Sequence, residues 1–297
     1  MTSVAPVPSA PFGQWRGGQA TERAFCVLEG NANPMTLDGT NTWVLMAPGG
    51  SEAIVVDPGE DDEPHLRAVL DHVACRDARV VRIVLTHGHL DHAGGVDRFV
   101  AMTGAPVSAV GRGADDLADG DVLRAAGVEL RAVTTPGHTA DSVSFVVEGD
   151  GALLTGDTVL GRGTSVVAHP DGELAAYLDS LDRLAALTQP PDGAVTILPG
   201  HGPVVPDAAA MVGYYRTHRR ERLAQVMDTN FTALFRCCRE AIPAMRRRGG
   251  GAIVNIGSIS ALISNVPQDQ SVYNASKAAV HMLSQSLGSE LAKYNIR

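Results

Sequence analysis

Lysine is nearly missing from this chain: Lys277 and Lys293 are its two copies, both within the last 21 residues, and every other basic side chain is arginine. With 24 basic against 33 acidic groups the net charge is −9. That balance argues against a broad nucleic-acid surface, which needs clustered lysine and arginine, though not against a local contact. No apolar run approaches the roughly 20 residues that a bilayer span requires, so no membrane partner is expected. Cysteine is scarce. Cys26, Cys75, Cys237 and Cys238 lack the CxxC spacing of a metal site and are too few for a disulfide scaffold in 297 residues. The opening residues, MTSVAPVPSAPFGQWRGG, lack the basic start and apolar stretch of a secretory signal, and a reduced, cytoplasmic chain is the expectation. Glycine and proline are plentiful but aperiodic, which excludes a collagen-like fibre.

What is present is a globular composition, 44% apolar and 19% charged, with length for one large domain or two modest ones. The charge is uneven. Residues 1–222 carry 16 basic and 29 acidic groups, a net of −13, whereas 223–297 carry 8 and 4, a net of +4. The asymmetry hints at two unlike pieces joined.

Pro, Ser and Gly dominate the start, which reads as a flexible lead-in over 1–19. Strands are expected at Ala24–Glu29, Thr42–Met46, Ala53–Asp57, Val80–Thr86, Val107–Val110, Val128–Val133, Val143–Val147, Ala152–Thr155 and Ala194–Leu198. The second and third of these lie close enough to pair antiparallel. Apolar residues at helical spacing predict helices over Glu63–Ala74, Leu174–Leu187 and Ala208–Val226. Clustered strands followed by strands alternating with helices imply sheets covered by helices.

Four strand ends deliver side chains suited to metal ions: Thr86-His87-Gly88-His89-Leu90-Asp91-His92, Pro136-Gly137-His138-Thr139, Thr155-Gly156-Asp157 and Pro199-Gly200-His201-Gly202. In extended chain His87 and His89 point to one side, and a following helix swings Asp91 and His92 across the same pocket. Each segment has a glycine beside a ligand, where the backbone must turn sharply. A single buried histidine is usually a hydrogen-bonded core residue; four such loops together are not explained that way. Five His and two Asp are too many for one tetrahedral ion and suit two ions sharing a bridge. Imidazole with carboxylate suits zinc, with iron or manganese as alternatives.

The run HxHxDH, followed in order by PGHT, TGD and PGHG, resembles the metallo-β-lactamase fold superfamily over about residues 20–222. Thr36-Leu37-Asp38-Gly39-Thr40-Asn41-Thr42, Val56-Asp57-Pro58-Gly59 and GRGTSVVAHPDGELAAYLDSLDRL make it especially similar to the β-lactamase-like protein 2 subgroup, near the glyoxalase II-like hydrolases. The resemblance implies a four-layer αβ/βα sandwich with two divalent ions at one sheet edge. His87, His89 and His138 would hold the first, Asp91, His92 and His201 the second, and Asp157 would bridge them. Asp57 would orient a ligand. β-Lactamases of this superfamily typically carry Cys at the position of Asp157, so lactam cleavage is not the favoured activity. The implied chemistry is hydrolysis of an ester, thioester or phosphodiester by a hydroxide formed between two dications, with Asp91 beside the leaving group. Thr164, Ser165 and His169 are candidates to line the cleft. Small molecules are the expected substrates, with a ribonuclease-like activity on short single-stranded RNA as an alternative.

Beyond Val226 the pattern changes. Met227-Asp228-Thr229-Asn230, Ile253-Val254-Asn255-Ile256-Gly257-Ser258 and Tyr273-Asn274-Ala275-Ser276-Lys277 resemble the second half of a short-chain dehydrogenase/reductase. By that resemblance Asn230, Ser258, Tyr273 and Lys277 are its catalytic tetrad, and NAD(P)-dependent reduction is the alternative function. Yet no glycine-rich strand-to-helix turn for a pyrophosphate precedes Asn230. A strand at Ala252–Ile256, apolar on both faces, would also need neighbours that 75 residues do not supply. Residues 223–297 therefore read as an incomplete, inactive Rossmann-like α-β-α fragment of a fused chain, whose helices could pair two copies into a homodimer.

Overall fold

Strands β1 (Gly18–Gln19), β2 (Ala24–Leu28), β3 (Asn41–Leu45), β4 (Glu52–Val56), β5 (Arg79–Val84) and β6 (Val107–Ser108) lie side by side in that order in one sheet. Pairing is antiparallel from β1 to β4 and parallel from β4 to β6. The computed structural model describes residues 13–111, 116–167, 170–189, 193–263 and 271–297. Neighbouring strand residues point to opposite faces. Trp43, Leu45, Ile54 and Val56 accordingly enter one apolar cluster, and Val44, Ala53 and Val55 another. Burial on both faces is why β3 and β4 read as nearly unbroken apolar runs.

The second sheet holds β7 (Val122–Ala125), β8 (Val128–Thr134), β9 (Val143–Val147), β10 (Ala152–Gly156) and β11 (Thr196–Pro199), antiparallel except for the parallel pair β10–β11. Leu130, Phe145, Leu154 and Leu198 of this sheet meet Trp43, Leu45, Ile54 and Val84 of the first in a shared cluster between them. Helices α1 (Glu63–Ala74), α2 (Leu90–Ala93) and α3 (Val96–Thr103) follow β4 and β5. From α1 and α3, Leu66, Val69, Val73 and Phe99 pack with Val44, Val55 and Ile83 on the outer face of the first sheet. Helices α4 (Leu174–Leu187) and α5 (Ala208–Met227) put Tyr177, Leu181, Leu184, Met211 and Tyr215 against Leu153 and Ile197 of the second. Three apolar layers between four structural layers make the αβ/βα sandwich. Each large apolar side chain fully withdrawn from water contributes about 1.5–3 kcal/mol.

Local chemistry sets the ends of the helices. The Asp62 carboxylate accepts the His65 N–H at 3.3 Å to start α1. Gly104, at φ 69°, ends α3 in the left-handed conformation. Strands β1 and β7 and helix α3 were not among the sequence expectations, whereas α2 is the helix expected to carry Asp91 and His92. The expected lead-in over 1–19 is corrected at its end. Gln19 pairs with Phe25, and the Trp15 indole donates to Asn41 Oδ1 at 2.7 Å, so 13–19 is part of the packed structure. Residues 1–12 lie outside the described residues.

The chain divides into two compact units, Met1–Arg216 and Thr217–Arg297, and the division falls inside α5. In the second, a π-helical turn at Asp228–Thr232 leads into α6 (Ala233–Arg247), and α7 (Ser271–Leu291) follows an extended stretch and a short 3₁₀ turn. The strand expected at Ala252–Ile256 does not form. The stretch touches the terminal residues through Ile253 N–H to Arg297 O at 2.7 Å and a Gly251–Ile296 bridge, while Val254 is 85% exposed. An apolar strand without a sheet has nothing to pair with or pack on.

Candidate metal centre

Turns at the C-terminal ends of strands from both sheets carry the donor side chains. β5 continues through Thr86 into His87-Gly88-His89, and the chain turns at once into α2, which bears Asp91 and His92. His138 lies in the turn after β8, Asp157 directly follows β10, and His201 comes just after β11. His87 Nε2 and His138 Nε2 each lie 3.1 Å from His89 Nδ1. In a second group, His201 Nε2 is 3.2 Å from both His92 Nε2 and Asp91 Oδ2. Asp157 stands between the groups, its carboxylate 3.4 Å from Nε2 of His92 and of His201 and 3.7 Å from Nε2 of His138. Donor atoms lie within 4.8 Å of one another in each of three sets: His87, His89, His138; His87, His92, Asp157; and Asp91, His92, His201. All seven side chains expected to bind metal are thus brought together.

A ligating imidazole needs its second nitrogen held by an acceptor, which fixes the ring and turns the lone pair inward. Four of the five have that arrangement. Nδ1 of His92 lies 2.9 Å from Asp57 Oδ2, that of His138 2.6 Å from Val166 O, that of His201 3.2 Å from Gly39 O and that of His87 3.1 Å from Thr86 Oγ1. The Thr86 hydroxyl donates to Asp57 Oδ2 at 2.6 Å, and its backbone N–H donates to Asp57 Oδ1 at 2.8 Å. Asp57, 1% exposed and in the left-handed region at φ 53°, therefore holds His92 directly and His87 through a hydroxyl. Inside the site, Asp157 Oδ1 is buried with no well-formed hydrogen bond, His92 Nε2 standing 3.4 Å away. Inward lone pairs, carboxylates and a buried acceptor make a donor set that fits divalent ions.

Charge in the site is strongly coupled. Burial disfavours a charged His92, but the carboxylates Asp157 and Asp57 override it and raise the imidazole well above its usual range. His201 is pushed up to about 9 by Asp157 against the same burial. His87 moves the other way, lowered by burial and by His92, and His89 is lowered by burial and by His138. Burial opposes the ionised form of Asp157, yet His201 and His92 hold it well below the carboxylate range; Asp91 is likewise lowered, against burial, by His201. Cations entering this cluster displace protons from His92 and His201.

The run TLDGTNT gains a structural reason. Thr40 bridges to His201, and the Asn41 amide donates to Pro199 O at 2.9 Å and Gly202 O at 2.8 Å, fastening this run to the His201 turn. Ser165 was expected to line the cleft. It is buried instead, with Oγ 3.3 Å from His138 Nδ1, while Val166 and Pro170 line the opening and Thr164 does not. His169 lies outside the described residues. The Thr86 relay and the carbonyls of Gly39 and Val166 were not read from sequence. A backbone acceptor leaves no residue-type signal.

In the second unit the dehydrogenase-like residues are engaged elsewhere. Asn230 donates to Ser276 Oγ at 3.1 Å, Ser258 Oγ accepts the Ser260 N–H at 3.2 Å, and Lys277 Nζ donates to Ile256 O at 3.2 Å. Lys277 Nζ also lies 5.7 Å from the Tyr273 ring, as residues one helical turn apart on α7 should.

Among known proteins, the family model of the metallo-beta-lactamase superfamily matches residues 35–201, and that of the short chain dehydrogenases matches 205–297. The second match takes in α5, although Met211 and Tyr215 of that helix pack beneath the sheet of the first unit. The lactamase-like protein aptB of Emericella nidulans is 35% identical over 272 residues, which are 90% of this chain and 80% of that protein. An atrochrysone carboxyl ACP thioesterase of Aspergillus chevalieri is 33% identical over 256 residues, 84% of this chain and 76% of its own length. A crystal structure of a metallo-beta-lactamase family protein from Thermus thermophilus shares the fold at a TM-score of 0.60 and 23% identity, covering 70% of this chain and 83% of that one. The chain belongs to the metallo-beta-lactamase superfamily, a group of hydrolase-like enzymes, and carries a short-chain-dehydrogenase-like segment behind it.

Proposed function

We propose that this protein is a hydrolase using two divalent ions to cleave a carbonyl ester, with a thioester as the favoured bond. One observation carries the reading: seven donor side chains from four separate turns converge in two groups that share Asp157. His87, His89 and His138 would hold one ion, Asp91, His92 and His201 the other, and Asp157 both. Bound there, zinc or another divalent ion supplies Lewis acidity that polarises a carbonyl and acidifies water. Preference for a thioester rests on the relative named as an acyl-carrier thioesterase.

The chain's own residues supply the rest. Asp57 fixes the rings of His92 and His87, so the site is ordered before substrate arrives. Asp91 lines the cleft and is more open than Asp157, with 25% against 12% of the side chain exposed, which supports a role beside the leaving group, whose proton would come from water or from a group near Asp91. The imidazoles of His87, His92, His138 and His201 are buried, while His89 is exposed at the cleft.

Elemental analysis of the purified chain, with thioester, phosphodiester and lactam substrates, tests the proposal. The expected result is about two divalent ions per chain and thioester cleavage that a chelator abolishes and added metal restores. Undiminished hydrolysis by protein stripped of metal would overturn it.

A further inference from the structure

Large apolar side chains left in water are unevenly placed on the first unit. Among its described residues five are exposed: Met35 (63%), Leu90 (80%), Val122 (36%), Val166 (45%) and Val195 (62%). Three of them, Met35, Leu90 and Val166, line a single cleft of about 510 Å³ that also reaches His89, Asp91, His138 and Asp157. They arrive on three separate segments. Met35 sits on the loop before β3, Leu90 between two of the ligand residues, and Val166 on the loop after β10. Scattered exposed apolar residues are ordinary, but a cluster around one polar centre marks a surface that something apolar covers.

The polar part of the lining has one sign. Glu60 and Asp171 join Asp91 and Asp157, and among the described residues no lysine or arginine lines the cleft. Nearby arginine is committed elsewhere: Arg162 is buried against Asp38, and Arg98 pairs with Asp61 at 2.5 Å. Away from the ions proposed at its centre, an anionic group on the rim would meet Glu60 and Asp171 and, among the described lining residues, no lysine or arginine.

The loop bearing Met35 is held in shape. Asn31 Nδ2 donates to Glu29 Oε2 and Thr40 Oγ1, both at 3.1 Å, and to Glu60 Oε1 at 3.2 Å. Asn33 Oδ1 accepts the backbone N–H of Met35 at 2.7 Å. The carbonyl of Val166 also receives Nδ1 of His138 at 2.6 Å, so this side of the rim is tied to a ligand residue. A rim pinned in this way is preorganised, and ligand binding need not order it.

We infer that Met35, Leu90 and Val166 form an acyl-binding rim that selects an apolar, uncharged chain on the carbonyl side of the scissile bond. They are specificity-determining residues for the hydrolysis proposed above, and the inference rests on that reading. Water cleaves the bond between the carbonyl carbon and sulfur: its oxygen bonds to the acyl carbon, one proton goes to the sulfur to make the thiol, and the second is released to solvent as the acyl product ionises to a carboxylate.

The test uses the full, metal-loaded protein and two probe series of two to ten acyl carbons: acyl thioesters of N-acetylcysteamine, and the matching S-alkyl thioethers, which cannot be hydrolysed. For the wild type, kcat/KM for thioesters and affinity for thioethers should each rise about threefold to fourfold per methylene until the rim is covered. Met35→Gln and Leu90→Gln should flatten both slopes, and Val195→Gln, which alters an exposed valine outside the cleft, should leave them as they are. Because each slope is read within one variant, a general loss of activity does not imitate the effect. Flat slopes in the wild type, or slopes that the rim variants leave intact, overturn the rim. Thioethers that follow chain length while no thioester turns over keep the rim and sink the thioesterase reading instead.

Discussion

Asp57 concentrates more of the site's order than any ligand does. Its two oxygens receive the Thr86 N–H, the Thr86 hydroxyl and His92 Nδ1, and the hydroxyl in turn meets His87. Asp57→Asn suits the left-handed backbone there and keeps one acceptor oxygen. We expect it to fold and to lose about 10–100-fold in metal affinity, measured by competition with a chromophoric chelator; unchanged affinity would remove Asp57 from that role. Glu29 gives a prediction in pH. Burial raises its carboxyl from 4.5 to about 7, with Glu60 and Asp62 adding to the rise and the Glu60 N–H opposing it. The folded pKa lies above the unfolded one, so this residue's contribution to stability is complete below pH 4.5 and is lost as pH climbs through about 7. Glu29→Gln should match the wild type near pH 4.5 and exceed it at pH 8, by about 1–3 kcal/mol, in thermal melts at the two pH values. Equal gains at both would point to packing as the cause.

Elements bring the ligands together through close turns, and two glycines show how little room those turns have. A Cβ on Gly200 would run into Oδ1 of Asp157 and lie 2.8 Å from Cε1 of His92. A Cβ on Gly137, at φ 132°, would strike the backbone of Tyr177 at the start of α4. The two alanine variants should therefore part company. Gly200→Ala should lower bound metal while the melting temperature falls little; Gly137→Ala should lose at least about 5 °C, or roughly 2 kcal/mol for a unit of this size. Losses of the same kind from both would mean that these turns are not specialised. The glycines beside the ligands were plain in the sequence. Which neighbour each one spares was not, because Tyr177 and Gly137 are forty residues apart in the chain.

Over the whole molecule, the two units bury apolar residues to very different degrees. The first has continuous cores on both sides of both sheets. In the second, among described residues, Cys238, Val280, Leu291 and Ile296 are the buried apolar side chains, while Val254, Ile256, Ile259, Leu262 and Met282 are each more than half exposed. Such a surface favours self-association. Light scattering should show a mass that rises with protein concentration, and Val254→Thr with Ile256→Thr should reduce the rise; one monomeric mass throughout would count against pairing by this unit. Fluorescence titration with NADH and NADPH should stay flat, since Asn230, Ser258 and Lys277 are bonded to Ser276, Ser260 and Ile256 and no pyrophosphate turn precedes them. Saturable binding would reinstate a reductase.

The order HxHxDH, PGHT, TGD and PGHG, with apolar runs before each motif, determined the family and the candidate donor side chains, because metal chemistry restricts which side chains can serve and strands announce themselves by burial. The sequence likewise pointed to a short-chain-dehydrogenase-like segment behind the first, although the family match starts at 205, earlier than the change of pattern read at Val226. Tertiary structure alone decided the rest: that Thr86 relays Asp57 to His87, that Gly39 and Val166 lend carbonyls, that Ser165 turns inward, and that Met35, Leu90 and Val166 share one rim. Those relations depend on which backbone faces which across two sheets. Residue type and spacing encode what a side chain is able to do; its partner is chosen only when distant segments are packed within a few ångströms.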